Sequence, residues 1–309
     1  MQNSINYPKQ FNNLWNKLHR KYSQELFDLD GVGSQLDTYK FRKKFFSNTT
    51  TTADVSVDSN ANVSDKSVTA YPTEMKKPLE KLDSYEALWE KSLEVFGLRT
   101  ANEMVQFQLS GDGYINDFHG IASGMPYCFN YSTYDIATKG LPMVDKIKSI
   151  PPKYLSSFKS QIEQFVTIAS NSTLGATGLA DLLLVMSFYV EDILERCGDS
   201  HFKFASEEDC WLYIENELVS LVYTLNQPMR GNQSPFTNVS IFDDFFLRKL
   251  QIDYIHPQKG TSLNINIVKR LQNIFIDIMN KELERTPITF PVTSACLSVD
   301  LSQNIKDED

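Results

Sequence analysis

The sequence predicts an α/β protein built on a parallel sheet or barrel, and three observations support this. Short β-branched and aromatic runs alternate with longer stretches whose apolar residues recur every three or four positions, the pattern of strands joined by helical crossovers. The chain has 309 residues, enough for about two average domains or one large α/β unit with a buried core. Its composition is 41% hydrophobic and 22% charged, with 13 glycines and 12 prolines. That excludes collagen-like, low-complexity and largely disordered chains.

The first hundred residues are polar and uneven. Phe11, Leu14, Trp15 and Leu18 form an early helical face. Residues 47–67 are rich in Thr, Ser, Asn and Asp and read as an exposed connection, within which residues 53–58 alternate like a short strand. At Asp83 the pattern changes. Asp83 and Glu86 have capping-box spacing, Leu88, Trp89, Leu93 and Phe96 share one helical face, and Gly97 supplies a stop. The expected organisation is therefore a mostly helical, irregular region over 1–82 followed by the α/β unit over 83–309.

Within that unit, residues 127–136 are aromatic and β-branched and read as a strand. Pro151-Pro152 opens a helix carrying Leu155, Phe158, Ile162, Phe165 and Ala169. A second helix covers 179–197. A third, over 207–226, buries Trp211, Ile214, Leu218, Leu221 and Leu225 and stops at Gln227-Pro228, where proline forbids continuation. Residues 236–242 read as a strand. Ile267, Leu271, Ile274 and Ile278 mark a fourth helix over 264–285, and 288–299 is a last β-rich run.

Thirty basic against 39 acidic residues give a net charge of −9, which argues against direct nucleic-acid binding through a broad positive surface. A small polyanion held by a few local cations remains compatible. The four cysteines, Cys128, Cys197, Cys210 and Cys296, form no C-x-x-C pair, so neither a disulfide framework nor a metal site is expected, and reduced thiols imply a cytoplasmic protein. The most apolar run, 179–190, is interrupted by Asp181 and is too short to cross a membrane. The N-terminus carries no secretion signal.

Several familiar patterns fail on inspection. Gly31-Val-Gly33 and Gly111-Asp-Gly113 lack the third glycine of a phosphate cradle and read as turns. Residues 28–39 begin like a calcium loop, but Val32 and Tyr39 stand where ligands are needed. His19, His119, His201 and His256 never reach metal-binding spacing, and His119 reads as a local hydrogen-bonding residue.

The stretch 225–243 is the most informative. A helix end and a proline are followed by Arg230, Gly231, Asn232, Gln233 and Ser234 before a strand. A guanidinium beside amide and hydroxyl donors suits a phosphate or sugar, with an ordinary Asx-type loop as the plain alternative. Cys128 follows a Gly- and Pro-bearing loop at a strand start, where a thiol can face a cavity; the plain alternative is a small buried hydrophobe. Cys197 and Cys210 lie near helix ends and read as structural, and Cys296 lies on a strand-like run without an assigned role.

Four ordered segments, YINDFHG with MPYC at 114–128, IPPKYLSSFKSQIEQFVTIASNSTLGATGLADLLLV at 150–185, LNQPMRGNQSPFTN at 225–238 and TFPVTSACLSVD at 289–300, resemble the large subunit of the anaerobic, glycyl-radical (class III) ribonucleotide reductases. The resemblance covers roughly 25–309. Residues 56–63, SVDSNANV, are also similar to phage-type members.

The resemblance implies the N-terminal half of a ten-stranded α/β barrel in which a thiyl radical, made by a glycyl radical, removes the 3′-hydrogen of a ribonucleoside triphosphate and the 2′-hydroxyl leaves as water. Cys128 matches the first active-site cysteine, which faces the ribose opposite the thiyl and helps reduce the radical intermediate. Arg230, Gln233, Ser234 and Asn238 fall in the substrate-side loop and strand.

Further implied are formate as a reductant, deoxynucleotide or ATP effectors, a homodimer and a radical-SAM activating enzyme. The thiyl cysteine, the structural zinc cysteines and the glycyl-radical motif would all follow residue 309, and no ATP-cone resembles the first residues. This leads to the expectation of a chain that is silent without a C-terminal reductase partner. The rival expectation is a non-catalytic nucleotide-binding or assembly protein of the same fold.

Overall fold

Four short strands lie side by side in chain order, all parallel, with helices supplying each return. The computed structural model describes residues 7–32, 38–39, 42–43, 70–116, 118–123, 127–141, 149–199, 202–230, 234–285 and 288–299. The connection at 47–67, the possible strand at 53–58 and the 56–63 segment lie outside the described residues, as does Gln233. The chain divides into two compact units that meet in sequence between Met125 and Pro126.

The first unit is helical. α1 (Lys9–Lys21) buries Phe11, Leu14 and Leu18, the stripe its spacing predicts. α2 (Gln24–Asp30) ends at Gly31, whose positive φ of 87° is the left-handed stop that glycine adopts without strain. α3 runs over Ala70–Ser110, interrupted at Gly97 (φ 82°, ψ 172°). The helical face at Leu88 and Trp89 is buried as expected, and Gly97 does break the helix.

Two expectations are corrected here. Asp83 starts no helix, because α3 already begins at Ala70; prolines at 72 and 78 mask its pattern in the sequence. Asp83 instead accepts the Tyr7 hydroxyl. Phe96 is 64% exposed rather than buried, since the chain turns at the next residue and the face loses its register.

The second unit carries the sheet. β1 (Phe129–Asn130), β2 (Thr177–Gly178), β3 (Thr237–Phe242) and β4 (Val292–Cys296) pair with Asn130, Gly178, Asn238 and Val292 in one row. The strand expected over 127–136 is thus only two residues long. From Thr133 the chain forms α4 (Thr133–Lys139), because the buried Asp181 carboxylate accepts the Thr133 N–H at 2.8 Å and satisfies the first turn.

α5 (Leu155–Ser170), α6 (Leu182–Glu195), α7 (Glu207–Leu225) and α9 (Ile265–Arg285) match the four predicted helices to within a few residues. The short α8 (Asp244–Leu250) was not legible in the periodicity. Every residue from Leu182 to Val190 is buried, so α6 is the central helix of the core, with Phe158, Ile162, Ile214, Leu218, Leu271 and Phe275 around it. Burial at about 25 cal/mol per Å² makes this cluster the main source of the unit's stability.

Candidate active site

The candidate site is assembled where β1, β2 and β3 begin. Tyr127 and Cys128 run directly into β1. There the Phe129 N–H donates to Ala176 O at 3.0 Å and the Tyr131 N–H to Gly178 O at 2.9 Å, which seats β1 against the segment entering β2. The Gly175 N–H donates to Tyr127 O, and the Ala176 N–H donates to Cys128 Sγ at 3.2 Å. The thiol is therefore held by the main chain, and its residue is exposed. A Cβ at position 175 would lie 2.6 Å from Sγ and 2.8 Å from Tyr127 O, so only glycine permits this approach.

Side chains alternate along a strand, so Cys128 and Asn130 share a face. The register places Asn238 on the same row as Asn130. The Asn238 amide donates to Ser294 Oγ at 2.6 Å and to Val292 O at 3.2 Å, which fixes it across β3 and β4. The opposite face carries Thr177, Thr237 and Val239, all fully buried. The sheet thus turns a thiol and amides to one side and its buried face to the other.

Arg230 comes from the segment between α7 and β3. Its Nη1 donates to Thr173 O at 2.8 Å and to Gly175 O at 3.1 Å, and the guanidinium stacks 4.2 Å above the Phe236 ring. Nε and Nη2 are buried without a hydrogen-bond acceptor among the described residues. Burial lowers the Arg230 pKa from its ordinary value, and the neighbouring Cys128 acts in the opposite direction. Phe236 has a φ of 51°, a left-handed conformation uncommon for a bulky residue, and its ring meets Phe290 at 5.3 Å. Ser234 is buried beside it.

Cys128, Arg230, Ser234 and Asn238 are thus carried by the segments that enter β1 and β3 and by the first residues of β3. This is the amino edge of the sheet, opposite the edge where open parallel folds commonly hold ligands. Sequence reasoning missed the turn at 173–176, which holds both Cys128 and Arg230. Its one signal is the glycine at 175.

Of the other cysteines, Cys210 is buried and within hydrogen-bonding reach of Cys197, and burial pushes its thiol up to about 11. Cys296 ends β4, half-buried. No three potential metal ligands cluster among the described residues. No described helix is long and apolar enough to cross a membrane.

A second cavity, of about 200 Å³, opens between the start of α5, the end of α6 and the segment before α7. Lys153, Arg196 and Lys203 line it, with Phe202, Phe204 and Tyr213 as aromatic walls. Arg196 lies 4.4 Å above the Phe202 ring, and Lys203 lies within 5.6 Å of Tyr213. Tyr189, 3% exposed, also lines the cavity, and its hydroxyl has no hydrogen-bond partner.

The structure thus defines an α/β protein that carries a main-chain-held thiol on one face of a parallel sheet. The family model for anaerobic ribonucleoside-triphosphate reductase matches residues 83–309. The chain belongs to this family.

Among solved structures, the anaerobic ribonucleotide reductase from Thermotoga maritima in complex with dATP and CTP is 32% identical. It aligns with a TM-score of 0.79 over 100% of this chain and 47% of that one. The same enzyme with citrate in its active site gives 32% identity and a TM-score of 0.81, over 100% of this chain and 52% of that one. A further anaerobic ribonucleotide reductase is 34% identical, with a TM-score of 0.77 over 98% of this chain and 46% of that one. The chain therefore spans about half the length of the structures it matches. No curated protein matched it.

Proposed function

We propose that this chain supplies the Cys128-bearing half of an enzyme that reduces ribonucleoside triphosphates to deoxyribonucleotides. The observation that carries the reading is the exposed Cys128 thiol, fixed by the Ala176 N–H on the polar face of the sheet. A thiol there can give one hydrogen atom to the ribose radical left when the 2′-hydroxyl departs as water, becoming a thiyl radical that the reductant must return to the thiol. Ser234 and Asn238, with Gln233 between Arg230 and Ser234 in sequence, form the substrate side. Arg230 stands behind them, bonded to the carbonyls of Thr173 and Gly175.

The thiyl cysteine, glycyl radical and structural zinc are taken to reside on further polypeptide, activated by a radical-SAM enzyme, in a cytoplasmic homodimer. Formate is the proposed source of the two electrons and leaves as carbon dioxide.

The second cavity supports an effector role. Asp192 also lines the cavity but is paired with Lys259 at 2.7 Å, and the cations Lys153, Arg196 and Lys203 beside aromatic walls suit a nucleotide's phosphates and base. The Thermotoga maritima structure with dATP in the specificity site belongs to a protein of the same family.

Co-expression with a complementary reductase polypeptide and anaerobic activation tests the catalytic reading. Turnover is expected with Cys128 and none with Cys128→Ser, while nucleotide binding persists. Turnover by the serine variant would leave the non-catalytic, nucleotide-binding reading standing. Labelled formate that yields no labelled carbon dioxide would exclude formate as reductant.

A further inference from the structure

The sequence places Arg230 among substrate contacts, yet its guanidinium is turned to the main chain. One nitrogen, Nη1, bridges the carbonyls of Thr173 and Gly175. These carbonyls belong to the turn whose next residue, Ala176, donates its N–H to Cys128 Sγ, and whose Gly175 backs directly against that sulfur. Arg230 therefore fixes Cys128 through a single intervening turn.

The rest of the guanidinium is costly to keep where it is. Nε and Nη2 are buried without acceptors, and no carboxylate pairs with Arg230 among the described residues. The Phe236 ring, 4.2 Å away, compensates its face. An unpaired buried cation is disfavoured by desolvation unless its charge is used. The same turn holds Cys128, whose Sγ accepts the Ala176 N–H.

We infer that Arg230 is a positioning residue for Cys128: it clamps the 173–176 turn that orients the sulfur, and its unpaired charge favours negative charge arriving at that sulfur. The clamp needs the planar fork, whereas the field needs only a cation. Lysine should therefore keep the second effect and weaken the first.

The inference rests on the proposed importance of Cys128 but is tested without turnover. The intact chain is alkylated with iodoacetate, an anion, and separately with iodoacetamide, its neutral counterpart. The rate at Cys128 is read by peptide mass spectrometry. A purely structural role would change both rates together.

In Arg230→Met and Arg230→Gln the ratio of iodoacetate to iodoacetamide rates is expected to fall by about threefold or more, while Arg230→Lys retains it. In the wild-type chain high salt should lower the same ratio through screening. The Gln variant keeps a donor for the two carbonyls should Met fail to fold, and the salt series needs no variant. An unchanged ratio in the folded neutral variants, or a salt-independent ratio in the wild type, overturns the inference. Neither result would bear on the Cys128→Ser turnover test.

Discussion

Asp181 and Thr133, 48 residues apart, are joined twice: Oδ1 of the aspartate accepts the Thr133 N–H at 2.8 Å and the Thr133 hydroxyl at 2.9 Å. Oδ2 accepts the Ser132 hydroxyl at 2.6 Å and the Tyr254 hydroxyl at 3.1 Å. One buried carboxylate thus serves the start of α4, at the far end of β1, and ties in the segment after α8. Removing it strands several donors in the interior. Asp181→Ala is expected to cost roughly 3 kcal/mol, read as a lower urea midpoint with an unchanged slope. A loss within about 0.5 kcal/mol, the range of a neutral surface change, would show that water replaces the carboxylate.

Gly175→Ala tests the close approach around Cys128. The added methyl would meet Sγ at 2.6 Å and the Tyr127 carbonyl at 2.8 Å, and the carbonyl is main chain. The strand entry must shift, so Cys128 alkylation should change severalfold and activity in the reconstituted enzyme should fall. Gly178→Ala is expected to be milder. Its close neighbour is the Asn130 side chain, which can swing away.

At low pH the end of β4 is expected to loosen at Asp243. Burial raises its pKa, but the Ser298 N–H, the Phe246 N–H and the Ser298 hydroxyl together lower it below the ordinary value. A depressed carboxyl pKa adds stability above the unfolded value, near 4, which is lost as pH falls through the folded value. The Phe246 bond also caps α8, so Asp243→Ala should cost about 1 kcal/mol and flatten acid unfolding. An acid profile identical to wild type would exclude this role.

Alkaline pH acts on Cys210. Its thiol is pushed up to about 11, first by burial and then by the bond to Cys197. A raised folded pKa contributes stability that is complete below the unfolded value, about 8.5, and is lost as pH climbs towards 11. In the folded chain at pH 8, Cys128 should alkylate first and Cys210 last. Equal rates at the two sites would contradict the burial.

Nucleotide binding at the second cavity predicts that Arg196→Ala and Lys203→Ala each weaken dATP binding about tenfold in isothermal titration. The corresponding nucleoside, which lacks phosphates, should be affected little. Undiminished dATP binding by both variants would place the effector elsewhere.

Periodicity and punctuation alone determine α5, α7 and α9. The stripes at 155–169, 207–225 and 264–285 are local, and proline after Gln227 or glycine at 97 ends a helix whatever packs against it. The candidate residues Cys128, Ser234 and Asn238 are proposed from their ordered segments and residue types alone.

Only the tertiary structure decided the rest. β1 and β2 are two residues each, too short for alternation to register, and they exist because neighbouring strands complete their hydrogen bonds. The helix at Thr133 depends on a carboxylate 48 residues away, where the aromatic and β-branched sequence alone reads as strand. In the sequence, Arg230 is a loop guanidinium beside amide and hydroxyl donors, which suits a ligand contact. Folding brings it the carbonyls of Thr173 and Gly175, 57 and 55 residues away in sequence, which no one-dimensional pattern shows.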